Sequence, residues 1–258
     1  MKTLSIDVGG TGLKAAVLNE NGAMIGERVR VPTPYPCPPP TLVETLRKLA
    51  SQMPPFDRVS AGFPGMVRAG VVVEVPALSR ASPGGSPDDD LARAWSGFNV
   101  ANALQEAFGR PVRVANDADV QGCAVVKGHG FEFVMTLGTG CGTALFWQGS
   151  LLPHMELSHG PFRDGETFDQ QLGDVTRQKI GNHRWRRRVR RAIDAFDAML
   201  LFDDLYIGGG NAACLHPDDL GENVTIVSNT AGILGGIKLW EQQGMLTPPD
   251  AGPAEPAS

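Results

Sequence analysis

The feature that most constrains this fold is a strand, a glycine turn and a second strand at the start of the chain, repeated about half a chain later. The first copy has strand-like residues 5–8, the turn Gly9-Gly10-Thr11-Gly12 and mostly apolar, strand-like residues 13–18. The second copy has strand-like residues 132–137, a turn at 138–143 and residues 144–147. Two such hairpins predict two similar α/β units that face one ligand.

The composition of the turns indicates a phosphate-bearing ligand. Gly9, Gly10 and Gly12 leave no Cβ and allow positive φ, so backbone N–H groups can approach phosphate oxygens. Thr11 adds a hydroxyl donor, Lys14 a positive charge and Asp7 a carboxylate near a metal-bound phosphate. A plain hairpin turn is the alternative for one such cluster. Two further glycine runs argue against a plain hairpin turn. They are Gly138, Thr139 and Gly140 in one run, and Gly208, Gly209 and Gly210 in the other.

Six motifs follow one another between about residues 4 and 240, and the chain lacks a Walker A loop. They are Asp7-Val-Gly-Gly-Thr-Gly-Leu-Lys14, Gly62-Phe-Pro-Gly-Met-Val67, Asn116-Asp-Ala-Asp119, Thr136-Leu-Gly-Thr-Gly-Cys-Gly-Thr143, Glu156-Leu-Ser-His159 and Ile207-Gly-Gly-Gly210. In this order they resemble the ROK family of sugar kinases, most closely its polyphosphate glucokinases.

The resemblance implies an actin-like, ribonuclease-H-like fold with two α/β domains around a central cleft. We expect a small N-terminal domain over residues 1–115, joined by a C-terminal helix at 229–241. A large C-terminal domain would span residues 116–228. Residues 247–258, rich in Pro and Ala, are expected to form a disordered tail because they cannot bury enough apolar surface.

The resemblance also implies roles for individual residues. Asp117 would be the general base for the sugar hydroxyl, and Asn116 would hydrogen-bond the sugar. Both residue types also suit the start of a helix, so capping is a second interpretation. Glu156 and His159 would bind neighbouring sugar hydroxyls, although single Glu and His residues are usually surface residues. Asp7 would bind Mg²⁺ through water, while the three glycine runs hold the phosphate donor.

The sequence departs from the family pattern at three places. Ala77 stands where a sugar-contacting Asn is expected, and Ser158 replaces a glycine. Residues 160–174 contain no cysteine, although many ROK proteins carry a structural zinc motif there, so we expect no zinc. The preferred hexose therefore stays open.

The expected function is Mg²⁺-dependent phosphoryl transfer from polyphosphate or ATP, or both, to the 6-hydroxyl of a hexose, with glucose as the first expectation. The alternatives are a kinase for another hexose and a non-catalytic or regulatory sugar-binding protein. ROK repressors carry an N-terminal helix-turn-helix segment, whereas this sequence begins at a strand. Asp7, Lys14 and Asp117 are all present, and a pure sugar binder has no need of them.

Composition limits the partners. The net charge of −5 gives no general attraction to nucleic acid or to anionic membranes, and no apolar run approaches 18 residues. The four cysteines form no C-x-x-C pair. We expect a cytoplasmic homodimer that binds hexose and a phosphate donor, without nucleic-acid or membrane partners. The cluster Arg184 to Arg191 is either a solvated helix face or a local track for polyphosphate.

Hydrophobic patterns predict the remaining elements. Strands are expected at 23–31, 59–63, 66–75, 112–115, 205–207 and 224–227, with a polar surface loop at 81–90 that would be a lid in the alternative interpretation. Helices are expected at 41–52 capped by Thr41, at 99–108, 117–126 and 166–180, at 183–200 capped by Asn182, and from a cap at Asn229 to about residue 240. The helix at 183–200 should bury a stripe of Trp185, Val189, Ile193, Phe196 and Leu200.

Overall fold

The computed structural model describes residues 1–228 and 231–242. The strands of this part are β1 (Thr3–Val8), β2 (Leu13–Leu18), β3 (Met24–Val31), β4 (Arg58–Phe63), β5 (Met66–Arg68), β6 (Val71–Glu74), β7 (Val112–Asn116), β8 (Phe131–Leu137), β9 (Cys141–Trp147), β10 (Ser150–Leu151), β11 (Pro161–Arg163), β12 (Glu166–Thr167), β13 (Asp204–Gly208) and β14 (Val224–Ile226). The α-helices are α1 (Pro39–Ala50), α2 (Asp89–Trp95), α3 (Val100–Phe108), α4 (Asp117–Val125), α5 (Phe168–Leu172), α6 (Asp174–Ile180), α7 (Asn182–Leu200) and α8 (Ala231–Lys238). Short 3₁₀ helices span Leu157–His159, Gly210–Cys214 and Pro217–Asp219.

Two five-stranded sheets share one topology. The first sheet has the order β3-β2-β1-β4-β7 and the second has the order β10-β9-β8-β13-β14. In each sheet the first three strands of this order pair antiparallel among themselves. The last three strands of the order run parallel to one another. The repetition predicted from the glycine hairpins therefore extends to whole sheets, as the predicted fold class requires.

Both glycine turns lie at corresponding edges of their sheets. In the first sheet Val8 pairs with Leu13, so the first turn closes at the carboxyl end of β1. In the second sheet Leu137 pairs with Cys141, so the second turn closes at the carboxyl end of β8. Ligands of open α/β sheets bind at the carboxyl ends of parallel strands, so both turns are placed to reach one.

Separate apolar cores support the two sheets. One core joins the first sheet to α1 and α3, and another joins the second sheet to α5 and α7. The expected stripe on α7 is confirmed, since Trp185, Val189 and Phe196 are fully buried and Ile193 is 9% exposed. Leu200 is half-buried. Asn182 is the first helical residue of α7, so the expected cap position is occupied by Gly181 instead.

The last described helix packs against the first half of the chain. Helix α8 contacts α4, β1, β2 and β4. Its Ile233 and Ile237 join Ala16 and Leu18 in one buried cluster. The proposed domain boundary near residue 115 stays a prediction, and the expected cap Asn229 and tail 247–258 lie outside the described residues.

Two expected elements in the first half are corrected. Helix α1 begins at Pro39, so Thr41 lies inside its first turn. Proline suits that position because its fixed φ is helical and its missing N–H needs no partner there. The expected strand 66–75 is a hairpin of β5 and β6, because Ala69 (φ 47°) and Gly70 (φ 79°) form a tight turn.

Two further corrections concern helix boundaries. The expected polar loop 81–90 ends early, since Asp88 caps α2 by accepting bonds from the N–H groups of Asp90 and Leu91, both at 3.0 Å. The expected single helix 166–180 is two helices, α5 and α6, which meet at Gly173. Thr167 caps α5 in a capping box with Gln170. In the part of the chain described, no helix is both long and apolar enough to cross a membrane.

Candidate active site

Asp117 lies where strand β7 ends and helix α4 begins. Asn116 caps this helix, because its Oδ1 accepts a bond from the N–H of Ala118 at 2.8 Å. Its Nδ2 donates to the carbonyl of Gly65 at 3.1 Å, which ties the helix start to the β4–β5 connection. The capping interpretation of Asn116 is confirmed, and one N–H of its amide is left for a ligand.

Two glycines of the Gly62-x-x-Gly65 motif make room for this arrangement. A Cβ on Gly62 would lie 3.4 Å from the Cα of Asp117, so β4 passes close under the helix start. A Cβ on Gly65 would lie 2.3 Å from the carbonyl oxygen of Glu74. The close approach at Gly65 requires glycine, and the carboxyl ends of the parallel strands β4 and β7 meet at Asp117.

Asp117 lies in a negatively charged environment. Burial raises its pKa to about 7, and the negative charge of Asp7 is the second cause. The N–H of Ala118 opposes the rise, while Asp119 and Glu156 add to it. The charges of Asp7 and Glu156 both raise the pKa of Asp117, so these three predicted site residues lie close enough to interact electrostatically. A carboxyl group with a pKa near neutrality suits a general base.

Asp7 and Lys14 face each other across the first hairpin. Lys14 Nζ donates to Asp7 Oδ2 at 2.7 Å, and the two side chains are 35% and 24% exposed. Their register makes them direct cross-strand partners. Lys14 is therefore paired with the expected metal-binding carboxylate, and two further ammonium protons can reach a phosphate.

Hydroxyl groups fix the first glycine turn from below. The N–H of Gly9 donates to Gly12 O at 3.1 Å, and Thr33 Oγ1 donates to Gly9 O at 2.5 Å. The Tyr35 hydroxyl lies 2.6 Å from Gly10 O. These contacts occupy the turn's carbonyl groups, which would otherwise repel a phosphate.

Arg30, which the sequence analysis did not identify, lies against the same turn. A Cβ on Gly12 would lie 2.8 Å from Nε and 3.2 Å from Nη2 of this exposed arginine. Arg30 pairs with Lys14 in the β2–β3 register. No local motif marks it, because only the pairing of β3 with β2 brings its guanidinium to the turn.

The structure brings the second and third glycine runs together. Gly138 O accepts bonds from Asn211 Nδ2 at 2.9 Å and from the N–H of Asp174 at 3.0 Å. A Cβ on Gly209, whose φ is 87°, would lie 2.3 Å from Leu137 O. Gly208 ends β13 and Gly210 begins the following 3₁₀ helix, so the third run borders the second turn.

The break between α5 and α6 shapes the second turn. A Cβ on Gly173 would lie 2.5 Å from Thr139 O. Asp169 Oδ1 accepts the N–H of Cys141 at 2.7 Å, and a Cβ on Gly140 would clash with that same carboxylate. The two helices therefore hold the turn by close backbone approaches.

The expected sugar-binding pair lies on one short 3₁₀ turn. His159 Nε2 is 3.9 Å from Glu156 Oε2, and the side chains are 49% and 20% exposed. Ser158 between them is fully buried, and its Oγ has no hydrogen-bond partner in the described part of the chain. The turn accommodates this hydroxyl in place of the expected glycine.

Two residues behind Glu156 were not identified from the sequence. His154 Nδ1 lies 3.0 Å from Asp119 Oδ1, and its Nε2 lies 3.2 Å from Glu156 Oε1. Burial lowers the pKa of His154, but bonds to Asp119 and Glu156 outweigh it and raise the pKa to about 10. Asp119 belongs to the Asn116 motif, which is the only sequence signal for this contact.

Ala77 lies beside the first glycine turn. A Cβ on Gly10 would lie 3.4 Å from the Cβ of Ala77. The Tyr35 hydroxyl lies 2.8 Å from Ala77 O and also contacts Gly10 O. The position is thus at the site, with a methyl group where the family pattern has a hydrogen-bonding amide.

The arginines of α7 border two surface depressions. One, of about 280 Å³, is lined by Arg187, Arg190, Arg191, Ile193, Asp194, Leu220 and Gly221. The other, of about 210 Å³, is lined by Arg163, Arg184, Arg187, Arg188 and Arg191. Neither includes Asp7, Asp117 or a glycine run, so this basic surface is separate from the cluster around Asp117.

The carboxylate of Asp7 is suited to hold a magnesium ion together with phosphate oxygens. Mg²⁺ is commonly held by one or two carboxylates together with substrate phosphates and water. Asp7 keeps Oδ1 outside its bond to Lys14, and its charge contributes to the raised pKa of Asp117. In the described residues, no group of three or more His, Cys, Asp or Glu side chains is arranged to hold a metal.

Known proteins share this architecture and sequence. A polyphosphate glucokinase of Mycobacterium tuberculosis is 28% identical over 246 residues, which cover 89% of this chain and 88% of that protein. The solved inorganic polyphosphate/ATP-glucomannokinase of Arthrobacter sp. strain KM is 28% identical, with a TM-score of 0.77 over 93% of this chain and 97% of that one. These similarities confirm the predicted relation to sugar kinases.

A more distant structure confirms the actin-like fold. A ROK family glucokinase from Streptomyces griseus, solved with glucose and AMPPNP, is 17% identical with a TM-score of 0.73. It covers 93% of this chain and 99% of that one. The model of the ROK family matches residues 3–160, which include the first hairpin, Asp117 and the Glu156–His159 turn. The chain therefore belongs to the ROK family.

Proposed function

We propose that this protein transfers a phosphoryl group from polyphosphate or ATP, or both, to the 6-hydroxyl of a hexose, with Mg²⁺ and with glucose as the first acceptor. The observation that carries the proposal is Asp117, a half-buried carboxyl with a pKa of about 7 at the start of α4, coupled to Asp7 and Glu156. The named functions of the polyphosphate glucokinase and the glucomannokinase support this choice.

Asp117 accepts the proton of the attacking hydroxyl in this mechanism. Phosphoryl transfer needs little covalent chemistry from the protein and depends on positioning and on neutralising charge. A base with a pKa near 7 is about half ionised at neutral pH, and its ionised form takes the proton as the hydroxyl oxygen bonds to phosphorus. The bond between that phosphorus and the rest of the donor breaks in the same step, so ADP or a polyphosphate shorter by one phosphate leaves. The rate should fall as pH drops below about 7, because Asp117 then becomes protonated.

Glu156 and His159 bind sugar hydroxyls, and Asn116 contributes the free N–H of its amide. Burial raises the pKa of Glu156, but its bond to His154 outweighs this and lowers the pKa, so Glu156 accepts bonds as a carboxylate. Its 20% exposure leaves the carboxylate accessible to a ligand. These contacts orient the acceptor toward Asp117.

The phosphate donor lies between the glycine runs. In the first run Gly10, Thr11, Gly12 and Lys14 face the phosphates, while the N–H of Gly9 closes the turn on Gly12 O. In the second run Thr139 and Gly140 face them, while the N–H of Gly138 donates to Gly140 O. The third run contributes Gly208, Gly209 and Gly210. Asp7 would hold Mg²⁺, which would supply positive charge to the phosphates of the donor. Closure of the two halves on the sugar keeps water from the phosphoryl group.

The arginine surface of α7 favours polyphosphate as one donor. Four of its side chains, Arg184, Arg187, Arg190 and Arg191, are exposed, and arginine pairs phosphate oxygens through two N–H groups. A long polyanion can contact this surface while its end lies at the glycine runs. ATP needs no such contact, so the two donors should respond differently to changes on α7.

We propose a cytoplasmic homodimer without nucleic-acid or membrane partners. Exposed apolar side chains such as Met199 (62%) and Leu201 (79%) at the end of α7 offer a contact between copies. Light scattering of the purified chain tests the dimer, and Leu201→Asp should shift it toward the monomer.

The test is a coupled assay for glucose 6-phosphate with Mg²⁺, run with ATP and with polyphosphate. We expect Asp117→Asn to lower kcat by ~10²- to 10⁴-fold with every active donor. Asp89→Asn is the matched control, since Asp89 also begins a helix but is exposed on α2. Full activity of Asp117→Asn would contradict the proposed base.

A second comparison separates the donors. We expect Arg187→Ala combined with Arg191→Ala to raise KM for polyphosphate and to leave KM for ATP unchanged. Equal effects on both donors would remove the polyphosphate role of α7. Hexose binding without turnover by either donor would favour the non-catalytic sugar-binding alternative.

A further inference from the structure

The inference concerns His154, which lies between the helix of the proposed base and the proposed sugar-binding turn. Its side chain is 4% exposed, as is that of Asp119, while Glu156 is 20% exposed. His154 contacts Asp119 of α4 at 3.0 Å and Glu156 of the proposed sugar-binding turn at 3.2 Å. Of these three side chains, only that of Glu156 is accessible to a ligand.

Burial of two carboxylates without a cation is unfavourable. His154 is the group that lies between them, and its two ring nitrogens face different carboxylates. Nδ1 is hydrogen-bonded to Asp119, whereas Nε2 faces Glu156 Oε1 at ion-pair distance without a hydrogen bond in the described residues. A positively charged ring is attracted to both carboxylates. The contacts therefore favour the charged ring. Burial raises the pKa of Asp119, and the hydrogen bond to His154 opposes that rise.

We propose that His154 is a positioning residue for hexose binding, which holds Glu156 ionised and fixed while Asp119 keeps His154 protonated. This inference rests on the proposed sugar-binding role of Glu156. His154 also connects α4, through Asp119, to the sugar-binding turn, through Glu156. The helix that carries Asp117 and the turn that carries Glu156 are therefore held together by one residue.

Titratable groups from three segments surround His154 and its two partners. From its own segment Glu156 faces it directly, and His159 lies behind Glu156 at 3.9 Å. From α4, Asp119 faces it directly, and Asp117 and Cys123 interact electrostatically with Asp119. From β9, Cys141 interacts electrostatically with Glu156.

The test measures glucose binding by calorimetry from pH 5 to pH 10, without a phosphate donor. His154→Asn keeps an N–H that can reach Asp119 but loses the nitrogen facing Glu156. We expect its Kd for glucose to rise about 10-fold or more at pH 7.5, because Glu156 loses its cationic partner. In the coupled assay, KM for glucose should rise similarly while kcat changes by less than about threefold.

The pH dependence distinguishes positioning from a general structural effect. In His154→Asn the pKa of Glu156 rises, so glucose affinity should begin to fall at a higher pH during acidification than in the wild type. In Asp119→Asn the pKa of His154 falls, so affinity should be lost at a lower pH during alkalinisation. The two variants therefore shift opposite limbs of the profile.

His216→Asn, at an exposed histidine, is the matched control and should follow the wild type. His154→Gln keeps an N–H near Glu156 and should recover part of the affinity lost in His154→Asn. A uniform loss of affinity with an unchanged pH profile, or wild-type affinity in His154→Asn, would overturn the inference. If the wild type binds no hexose, the proposed function fails and the inference fails with it, whereas failure of the variants alone leaves the proposed function in place.

Discussion

The carboxylates around Asp117 owe their properties to their neighbours. Asp7 is paired with Lys14 at 2.7 Å and Glu156 with His154 at 3.2 Å, whereas Asp117 Oδ1 accepts a bond from the N–H of Ala118 at 3.0 Å. Burial, together with the negative charge of Asp7, raises the pKa of Asp117. Burial also raises the pKa of Glu156, but the interaction with His154 outweighs it and lowers that pKa. Three carboxyl groups thus take two roles: Asp117 can accept a proton, whereas Asp7 and Glu156 are held by cationic partners.

Arg30 gives a prediction at the scale of single residues. We expect Arg30→Ala to raise KM for the phosphate donor by about 10-fold or more, because a guanidinium beside the first glycine turn would lose its bonds to phosphate. Glucose affinity should stay unchanged. Steady-state kinetics with varied donor and saturating glucose measure the effect.

The control is Arg28→Ala, an exposed arginine two residues earlier in β3. Equal donor KM values for Arg30→Ala and the wild type would show that Arg30 has no part in donor binding. A change in glucose affinity alone would place its contact on the acceptor side instead.

At the scale of elements, the second glycine turn depends on the break between α5 and α6. A Cβ on Gly173 would meet Thr139 O at 2.5 Å, a contact with backbone that no side-chain rotation relieves. We expect Gly173→Ala to displace the turn at a cost of ~1–3 kcal/mol. Donor KM should rise about fivefold or more while glucose affinity is kept, as measured by kinetics and calorimetry.

Val175→Ala, at a side chain 78% exposed on α6, provides the comparison for that substitution. If Gly173→Ala binds both substrates as the wild type does, the turn does not need this close approach.

Sequence patterns predicted the elements whose signals are local. The hairpins at both glycine turns, the cap at Asn116 and the buried stripe of α7 all follow from neighbouring residues. The break at Gly173 was missed because its cause is Thr139, 34 residues earlier in the chain. His154 and Arg30 were missed for the same reason, since each reaches its partner only through strand pairing or tertiary packing.

At the scale of the whole molecule, α8 and the residues after it join the two sheets. Ser5 Oγ donates to Ile233 O at 2.8 Å in the first sheet. The N–H of Leu151 in the second sheet donates to Gln242 Oε1 at 2.7 Å. The guanidinium groups of Arg58 and Arg113 lie 5.0 and 4.7 Å from the centre of the Trp240 ring.

Gly235 tests this connection. A Cβ there would lie 1.7 Å from Val120 O, so α8 would have to move away from α4. We expect Gly235→Ala to lower the free energy of unfolding by ~2–4 kcal/mol. Urea unfolding measures it, with Leu234→Ala on the exposed side of α8 as the control at less than ~1 kcal/mol. Equal stability of Gly235→Ala and the wild type would contradict the close packing of α8 on α4.

The position of α8 also sets an order of events during synthesis. The first sheet is complete once β7 has left the ribosome, but the helix that covers Ser5 and Ser60 comes more than a hundred residues later. Until then one face of the nascent sheet has no native cover, and such surfaces bind chaperones or associate with other chains. The protein's yield in a cell should therefore respond to chaperone supply more strongly than its equilibrium stability alone indicates.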